Sequence, residues 1–236
     1  MVTTQSLCHP SGYQTPWHSH TRGQLCRITT GLLVIETENG RSVVPGKHIG
    51  WLPPGLRHAA FSESTIAGAS LYLDPAYCTG LPQEIALFDP DELVDALFTR
   101  LSVKGDATDP RILALLLDEL ADAPRVRFLL PMPVDPGLRK IARLLMHNVE
   151  DNHPVEQLAR HAGMSVRTFN RRFLAETGMN YVNWRQLARV IRAMEWLAAG
   201  KPTGWIALSC GYSSISAFID VFRRWTGKTP GQWGLK

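Results

Sequence analysis

Hydrophobic and polar residues follow two different periods along this chain, and one period replaces the other near Pro82. Before that point, short runs of β-branched and other apolar residues are separated by the turn-forming stretches Asn39-Gly40, Pro45-Gly46 and Pro53-Pro54-Gly55. Many short runs with regular turns predict β-strands that form a barrel or a sandwich. Asn39-Gly40 also predicts a tight hairpin turn of the primed type, in which both residues have positive φ.

After Pro82, apolar residues recur at helical spacing in two acidic segments that begin at Asp89 and Asp109. Each segment opens with Asp-Pro, which favours the start of a helix. The apolar faces consist of Leu93, Leu97 and Leu101 on the first helix and of Ile112, Leu116 and Leu120 on the second. We expect these faces either to pack on the strands of the same chain or to pair with a second subunit, and the sequence leaves both open.

The stretch Pro124–Gly137 is rich in proline and cannot form a regular helix, so we expect it to link two domains. After it, the apolar spacing is helical throughout. The predicted organisation is a β-rich domain over residues 1–80, a helical cover over 81–123, a linker over 124–137 and an all-α domain over 138–236. The expected fold class is α+β with two domains.

Two segments of the all-α domain repeat one pattern. LARHAGMSVRTFNRRFLAETG begins at Leu158, and IALSCGYSSISAFIDVFRRWTG begins at Ile206. The offset between the copies is 48 residues as far as the serine and 49 residues from the first phenylalanine. Each copy predicts a short helix, a turn at Gly163 or Gly211, and a second helix capped by serine, which is a helix-turn-helix. The two phenylalanines of each second helix are expected to face the core.

Charge is distributed unevenly: residues 1–136 carry 10 Lys and Arg against 15 Asp and Glu, whereas residues 137–236 carry 15 against 6. A basic half is the electrostatic footprint of a protein that binds a polyanion such as double-stranded DNA. The four scattered cysteines form no CxxC pair, so we expect reduced and mostly buried thiols. No apolar run is long enough to span a membrane and no leader opens the chain, which favours a cytoplasmic protein without a membrane partner.

The outer faces of the two second helices carry the candidate DNA contacts. Arginine binds guanine O6 and N7 in bidentate fashion, and asparagine binds adenine N6 and N7 in the same way. The first helix offers Arg167, Thr168, Asn170 and Arg171, and the second offers Ile215, Ser216, Ile219 and Asp220, followed by Arg223 and Arg224. The helix between the copies is about 30 Å long at 1.5 Å per residue, close to the roughly 34 Å between successive turns of the major groove. We therefore expect one chain to place two recognition helices in adjacent grooves.

The stretch GYSSISAFIDVFRRWTGKTPGQW, residues 211–233, is close to the signature of the AraC/XylS family of bacterial transcription regulators. The resemblance covers about Leu138 to Trp233 and implies a double helix-turn-helix that binds DNA. It places these residues on base-reading positions: Arg167, Asn170 and Arg171 in the first recognition helix, and Ile215, Ser216, Ile219 and Asp220 in the second. The second set departs from a basic pattern, because the carboxylate of Asp220 repels phosphate. Its isoleucines are expected to contact thymine methyl groups instead.

Three histidines of the β-rich domain form the other candidate site. Two stretches, Gly12-x5-His18-x-His20-x3-Gln24-x6-Gly31 and Pro53-x-Gly55-x2-His58, resemble the two motifs of the cupin superfamily. They are also similar to the cupin sensor domains of some AraC-family regulators. The resemblance implies a cupin-like β-barrel with His18, His20 and His58 on metal positions and Gln24 where the motif usually has glutamate.

Two occupants of the histidine site remain open. Three imidazoles suit a divalent transition metal such as Zn, Ni or Fe, but a neutral glutamine in place of a carboxylate weakens such a site. We favour an effector pocket that requires no cofactor. Its predicted lining is His18, His20, Gln24, Trp51 and His58, with Trp17 as an alternative to Trp51.

Together these patterns predict a sequence-specific transcription regulator whose N-terminal cupin binds a small effector and whose C-terminal half binds double-stranded DNA. A homodimer is expected, and RNA polymerase is a candidate further partner. One alternative is a metal-dependent cupin enzyme with an accessory helical domain, and another is a metalloregulator in which the metal itself is the effector. The enzyme alternative is the weaker, because no specific motif supplies a general base or a nucleophile.

Overall fold

In a computed structural model, described over residues 2–103, 109–126 and 128–233, the chain forms two compact units. The first consists of Met1–Thr37 and Ser42–Phe128, and the second of Glu38–Arg41 and Leu129–Lys236. The first unit is rich in β-strands and the second is helical, which confirms the predicted α+β class. The finer domain boundaries at residues 80, 123 and 137 stay predictions, and residues 1, 104–108, 127 and 234–236 lie outside the described residues.

The strands of the first unit form two antiparallel sheets, one with the order β1-β8-β3-β6-β9 and one in which β5, β4, β7 and β2 lie side by side. Their bounds are β1 (Val2–His9), β2 (Tyr13–Gln14), β3 (Gly23–Thr30), β4 (Leu32–Thr37), β5 (Gly40–Pro45), β6 (Ile49–Leu52), β7 (His58–Ser62), β8 (Ile66–Leu73) and β9 (Ala86–Phe88). Within the described ranges the strands do not close into one ring, so two sheets stand where a cupin-like barrel was predicted.

The β4–β5 hairpin is confirmed, but its turn differs from the predicted one. The turn residues are Glu38 and Asn39, and Gly40 is already the first residue of β5. Among the described residues other than glycine, only Lys47 has a positive φ, and Gly40 is not one of the glycines that do. The primed turn was therefore wrong. Gly40 is required for another reason: a Cβ there would lie 2.5 Å from the carbonyl oxygen of Leu130.

Two helices, α1 (Glu92–Val103) and α2 (Pro110–Asp122), pack on one face of the first sheet. Leu25 pairs with Trp51 on β6 and with Leu71 on β8, so these three side chains point to the same face. They share one core with Leu101 of α1 and Leu116 of α2, and also with Leu120. The apolar helix faces are therefore covered largely by the sheet of their own chain, although Leu93 stays 44% exposed.

Besides the first two residues of β5, the described part of the second unit consists of one short strand and seven helices. Their bounds are β10 (Leu129–Pro131), α3 (Pro136–His147), α4 (Val155–His161), α5 (Val166–Thr177), α6 (Tyr181–Ala198), α7 (Thr203–Ser209), α8 (Ile215–Thr226) and α9 (Pro230–Trp233). The core contains the predicted aromatic pairs Phe169, Phe173, Phe218 and Phe222, all fully buried. No helix in the described part of the chain is long and apolar enough to cross a membrane.

Three of the four thiols are buried, as predicted, and only Cys8 is exposed. Burial raises the pKa of Cys26 and that of Cys210 to about 12, so both stay protonated at neutral pH. These two thiols therefore pack as small apolar side chains and supply no nucleophile.

Candidate nucleic-acid interface and ligand site

The two helix-turn-helix motifs, α4–α5 and α7–α8, turn in the same way. Gly163 N donates to Arg160 O at 2.9 Å in the first turn, and Gly211 N donates to Leu208 O at 2.8 Å in the second. Both glycines have positive φ, 70° and 74°, a conformation that residues with a Cβ rarely adopt. The predicted helix-turn-helix motifs are confirmed.

Serine caps both recognition helices. Ser165 Oγ accepts from Thr168 N at 3.2 Å, and Ser214 Oγ accepts from Ala217 N at 3.1 Å. The structural offset at the cap is therefore 49 residues, and the inserted residue precedes the cap. The repeat alone pointed to Ser213, because the two serines are adjacent and sequence comparison cannot tell which of them opens the helix.

Helix α5 presents a basic face away from the core. Its exposed predicted contacts are Arg167, Asn170 and Arg171, with Thr168 half-buried beside them. Among the described residues, neither Arg167 nor Arg171 has an ion-pair partner. Arg172 differs, because its guanidinium binds Asp135 Oδ2 at 2.9 Å. The face of α5 therefore keeps two guanidinium groups that are available to bases or phosphates.

Helix α8 has the same turn and cap as α5, but its exposed face differs. Its predicted contacts are Ile215, which is 47% exposed, the exposed Ser216, Asp220, Arg223 and Arg224, and the half-buried Ile219. The guanidinium of Arg224 donates to the side-chain oxygen of Gln186 on α6. The centre of this face is apolar and acidic, and its basic groups lie in the last turn of the helix.

In the first unit, the structure brings the three predicted histidines into one cluster. His18 N donates to His58 O at 2.9 Å and His58 N donates to His18 O at 2.8 Å, while His20 O accepts from Gly55 N at 2.8 Å. The ring centroids lie 4.4 Å apart for His18 and His58, 5.2 Å for His20 and His58, and 6.1 Å for His18 and His20. His18 is exposed, His20 is half-buried and His58 is buried.

Backbone carbonyls fix the tautomers of these rings. The Nδ1 atoms of His18, His20 and His58 lie 2.9, 2.5 and 2.9 Å from the carbonyl oxygens of Pro16, Arg22 and Leu56. Because a carbonyl oxygen only accepts, each Nδ1 carries a proton, and each neutral ring keeps a lone pair on Nε2. The cluster therefore presents acceptor nitrogens to a ligand.

Gln24 joins this cluster from β3. Its side-chain oxygen lies 3.2 Å from His20 Nε2, and its amide nitrogen lies 2.9 Å from Ser70 Oγ. A neutral His20 accepts at Nε2, so it requires the amide in the opposite orientation, with the NH2 group donating to His20 and the oxygen accepting from Ser70. Burial lowers the pKa of His58 below its ordinary value, and positive charge on His18 or His20 lowers it further, which favours the neutral ring.

The ligand atoms of this cluster do not meet the arrangement that a metal ion needs. Within the described ranges, no group of three or more His, Cys, Asp or Glu side chains could hold a metal ion. Gln24 is a neutral ligand and adds no charge to offset that of a cation.

Trp51, the remaining predicted effector residue, does not lie in the cluster. It is fully buried in the core on the opposite face of the sheet from Gln24, and its indole Nε1 donates to Pro82 O at 2.7 Å. The alternating side chains of β3 explain this, because Trp51 pairs with Leu25 and not with Gln24. Trp17 is 43% exposed, and Arg57 lies over its ring at 5.7 Å.

Two cluster residues were missed in the sequence. Tyr72 pairs with Gln24 across β3 and β8, and its ring centroid lies 5.6 Å from that of His20. Ser70, two residues earlier on β8, is fully buried beside Gln24. Only knowledge of which strands pair could have found them, because 46 residues separate Ser70 from Gln24.

A β-rich unit with a polar side-chain cluster, followed by a unit with two helix-turn-helix motifs, defines a transcription regulator with a separate ligand-binding domain. Family models agree: the AraC-like ligand binding domain matches residues 5–165, and a helix-turn-helix domain matches residues 158–235. The chain belongs to the AraC family of transcriptional regulators, which confirms the resemblance found in the sequence.

Curated relatives are regulators of the same class. It is 27% identical over 224 residues to the HTH-type transcriptional regulator NimR of Escherichia coli (strain K12), covering 93% of this chain and 82% of NimR. It is 32% identical over 132 residues to the HTH-type transcriptional regulator RipA of Corynebacterium diphtheriae, covering 56% of this chain and 38% of RipA. The DNA-binding domain of AdpA, solved in complex with a target DNA, is 32% identical, with a TM-score of 0.40, over 42% of this chain and 90% of that domain.

Proposed function

We propose that this AraC-family regulator reads its operator mainly through α5, and that a small effector bound at the histidine cluster changes its affinity for that operator. The observation that carries the first part is the pair of guanidinium groups on α5, Arg167 and Arg171, which have no ion-pair partner among the described residues. A bidentate contact from arginine to guanine contributes roughly 1–3 kcal/mol of discrimination against a wrong base. On α8, Asp220 and the isoleucines offer fewer hydrogen bonds to base edges.

For the effector, the chemistry of the cluster favours an organic molecule with N–H or O–H donors. The Nε2 atoms of His18 and His58 are acceptors for such donors, whereas Nε2 of His20 accepts from the Gln24 amide. A donor can therefore bind to His18 and His58 without the loss of a ring proton. The exposed indole of Trp17 provides an apolar surface on the same loop as His18. We place no metal in this proposal, because the cluster lacks a carboxylate and the geometry that a metal ion needs.

The metalloregulator stays as the second candidate because of one observation. Histidines that bind metals usually donate their other ring nitrogen to a carbonyl or a carboxylate, and all three Nδ1 atoms of the cluster lie against carbonyl oxygens. A metal would then bind through Nε2 after a rearrangement of the rings.

We also infer that the regulator acts in the cytoplasm, where its DNA target is found, without enzymatic activity and as a homodimer. Exposed leucines on the helices of the first unit, Leu93 at 44% and Leu115 at 43%, supply a small apolar surface for a second subunit. RNA polymerase is the further partner that we expect a regulator at a promoter to meet.

The proposal is tested by mapping bound DNA across the genome and then titrating the operator found. The regulated genes give candidate effectors, and each is added to the wild type, to His20→Ala and to the matched control His9→Ala, with and without a chelator. His9 is a histidine of the same unit that stacks on Tyr13 at 3.9 Å, outside the cluster. We expect His20→Ala to keep the basal operator affinity and to lose the response to effector, while His9→Ala keeps both.

Two outcomes would overturn parts of this proposal. Loss of basal operator binding by a folded His20→Ala protein would contradict a sensing role for the cluster. A wild-type response that disappears with chelator would show that the metalloregulator is the correct alternative.

A further inference from the structure

Helix α6 joins the two helix-turn-helix motifs, and a buried arginine lies near its middle. Arg189 is only 8% exposed, and burial lowers the pKa of its guanidinium from the ordinary value, although it stays charged. A cation in this position is costly unless its N–H groups are satisfied. Its contacts therefore show what holds it there.

On one side, the guanidinium of Arg189 binds the loop between α3 and α4, which leads into the first motif. Nε donates to Val149 O at 2.8 Å, and Nη2 donates to Asp151 O at 3.1 Å and to Asn152 Oδ1 at 2.9 Å. Arg185, one turn earlier on α6, donates to the same Asp151 carbonyl and to Asn152 Oδ1. The loop is therefore held to α6 by several hydrogen bonds.

On the other side, Arg189 contacts the turn of the second motif. Its guanidinium carbon lies 5.3 Å from the centroid of the Tyr212 ring, a cation–π contact. Cys210 Sγ donates to the Arg189 carbonyl oxygen at 3.6 Å. One residue therefore bonds to the entrance of the first motif and to the turn of the second.

The loop and the turn also touch directly. Asn152 Nδ2 donates to Gly211 O at 3.0 Å, so this amide bonds to Arg189 with its oxygen and to the turn with its nitrogen. A Cβ on Gly211 would lie 2.6 Å from Glu150 O, which means that the two backbones are in close contact. Gly163, at the matching turn of the first motif, has no heavy atom within 4 Å of its Cβ position.

We propose that Arg189 and Asn152 are positioning residues that fix the spacing at which the two recognition helices read DNA. An α6 without this contact still connects the motifs, but the second motif then pivots about the end of the helix. Each base pair moves a site by about 3.4 Å along the DNA and by about a tenth of a turn. The operator then has two half-sites, one under α5 and one under α8. A fixed pair of helices fits one spacing of these half-sites, whereas a pivoting pair binds several spacings, each more weakly.

This inference rests on the proposed reading of DNA by α5 and α8, and the test separates the two. The full-length wild type, Arg189→Met and the control Arg143→Met are titrated at one salt concentration with four DNA duplexes. These are the operator, the operator with one or two base pairs inserted between the half-sites, and the α5 half-site alone. Arg143 is an exposed arginine of α3, so its loss matches the change in charge without touching the loop or the turn.

For the wild type and for Arg143→Met we expect each insertion to weaken binding by roughly 5- to 150-fold, the range for one mismatched base pair in a specific site. For Arg189→Met we expect weaker binding to the operator and unchanged binding to the α5 half-site. The affinity for the operator divided by the affinity for an inserted duplex should fall towards one. Asn152→Ala, which removes both bonds of the bridging amide, should change the ratio in the same direction and less strongly. Asn152→Ala replaces Arg189→Met as the test variant if Arg189→Met does not fold.

The proposal would be overturned if a folded Arg189→Met or Asn152→Ala protein had the same ratio of operator affinity to inserted-duplex affinity as the wild type. Equal loss on the operator, the half-site and the inserted duplexes would also overturn it, because that pattern means that Arg189 only stabilises the unit. A wild type that binds the operator, the inserted duplexes and the α5 half-site equally would instead contradict the proposed reading of DNA by α5 and α8.

Discussion

The two helix-turn-helix motifs of the second unit differ far more in their exposed faces than in their turns, caps and core residues. Each has a glycine turn with positive φ, a serine cap, two buried phenylalanines and a glycine at the end of the recognition helix, Gly178 at φ 69° and Gly227 at φ 72°. Even the threonine before that glycine is used alike: Thr177 Oγ1 donates to Phe173 O at 2.6 Å and Thr226 Oγ1 donates to Phe222 O at 2.9 Å. The exposed faces, by contrast, are basic in α5 and apolar and acidic in α8.

This difference separates the positions of the repeat that the fold requires from the exposed positions that we propose for DNA recognition. A position that sets φ, caps a helix or fills the core has few alternatives, so both copies carry the same type of residue there. A position on the solvent side has little effect on folding, so the copies can differ according to the bases that each one meets. The turns at Gly163 and Gly211 are alike in sequence but differ in their surroundings. The turn at Gly211 packs on the loop that contains Glu150, whereas no described residue packs on the Cβ position of Gly163.

The largest expected effect concerns those turns. Gly163→Ala should cost about 1–2 kcal/mol of the free energy of unfolding, because alanine is strained at positive φ. Gly211→Ala carries the same strain and also places a Cβ 2.6 Å from Glu150 O, so it should cost about 2–5 kcal/mol. Urea unfolding of the full chain measures both values, with amide hydrogen exchange in α4–α5 and α7–α8 to assign each transition. Equal costs would mean that the loop between α3 and α4 shifts at little cost in free energy and does not hold the second turn in place.

The sequence predicted the shared frame well because its determinants are local. The turn glycines and the spacing of the phenylalanines depend on residues within a few positions of each other. The histidine cluster was also predicted, but from the resemblance to cupin motifs and not from the physics of the strands.

Features that depend on contacts between distant segments could not be predicted. Trp51 was assigned to the effector pocket, but the pairing of β6 with β3 places it in the core under α1 and α2. The link from Asn152 to Gly211 spans 59 residues, and the bond from Arg189 to Val149 spans 40. Neither sequence spacing nor composition indicates such pairs, because they arise only when the helices have packed.

The next effect concerns the difference between the faces. Arg171→Ala should cost about 1–3 kcal/mol on the operator and relax the preference at one base pair. Ser216→Ala, at an exposed position of α8, should cost less, because a single hydroxyl bond to a base is weaker than a bidentate pair. Titration with the operator, with random DNA and with operators scrambled under one helix or the other measures both. Equal loss on operator and random DNA would show that Arg171 binds only phosphate, and greater sensitivity of the α8 half-site would reverse the ranking of the helices.

A smaller effect tests the position of the inserted residue. Ser214→Ala removes the acceptor of the Ala217 amide and should cost about 1 kcal/mol of the free energy of unfolding, similar to Ser165→Ala. Ser213→Ala is the matched control and should be nearly neutral, since Ser213 is exposed and precedes the cap. The measurement is the urea unfolding midpoint of each variant. A cost at Ser213 that equals the cost at Ser214 would contradict the assignment of the cap.

The smallest effect concerns Asp220, the acidic residue on the face of α8. If its carboxylate only repels phosphate, Asp220→Asn should tighten binding by about 0.3–1 kcal/mol on operator and random DNA alike, and the gain should shrink as salt rises. Asp118→Asn in α2 removes the same charge from an exposed position of the other unit and should leave both affinities unchanged. A carboxylate can also accept a hydrogen bond from cytosine N4, and in that case Asp220→Asn weakens binding to the operator while it tightens binding to random DNA. The sign of the change on the operator therefore decides whether α8 reads a base through Asp220 or merely tolerates the charge.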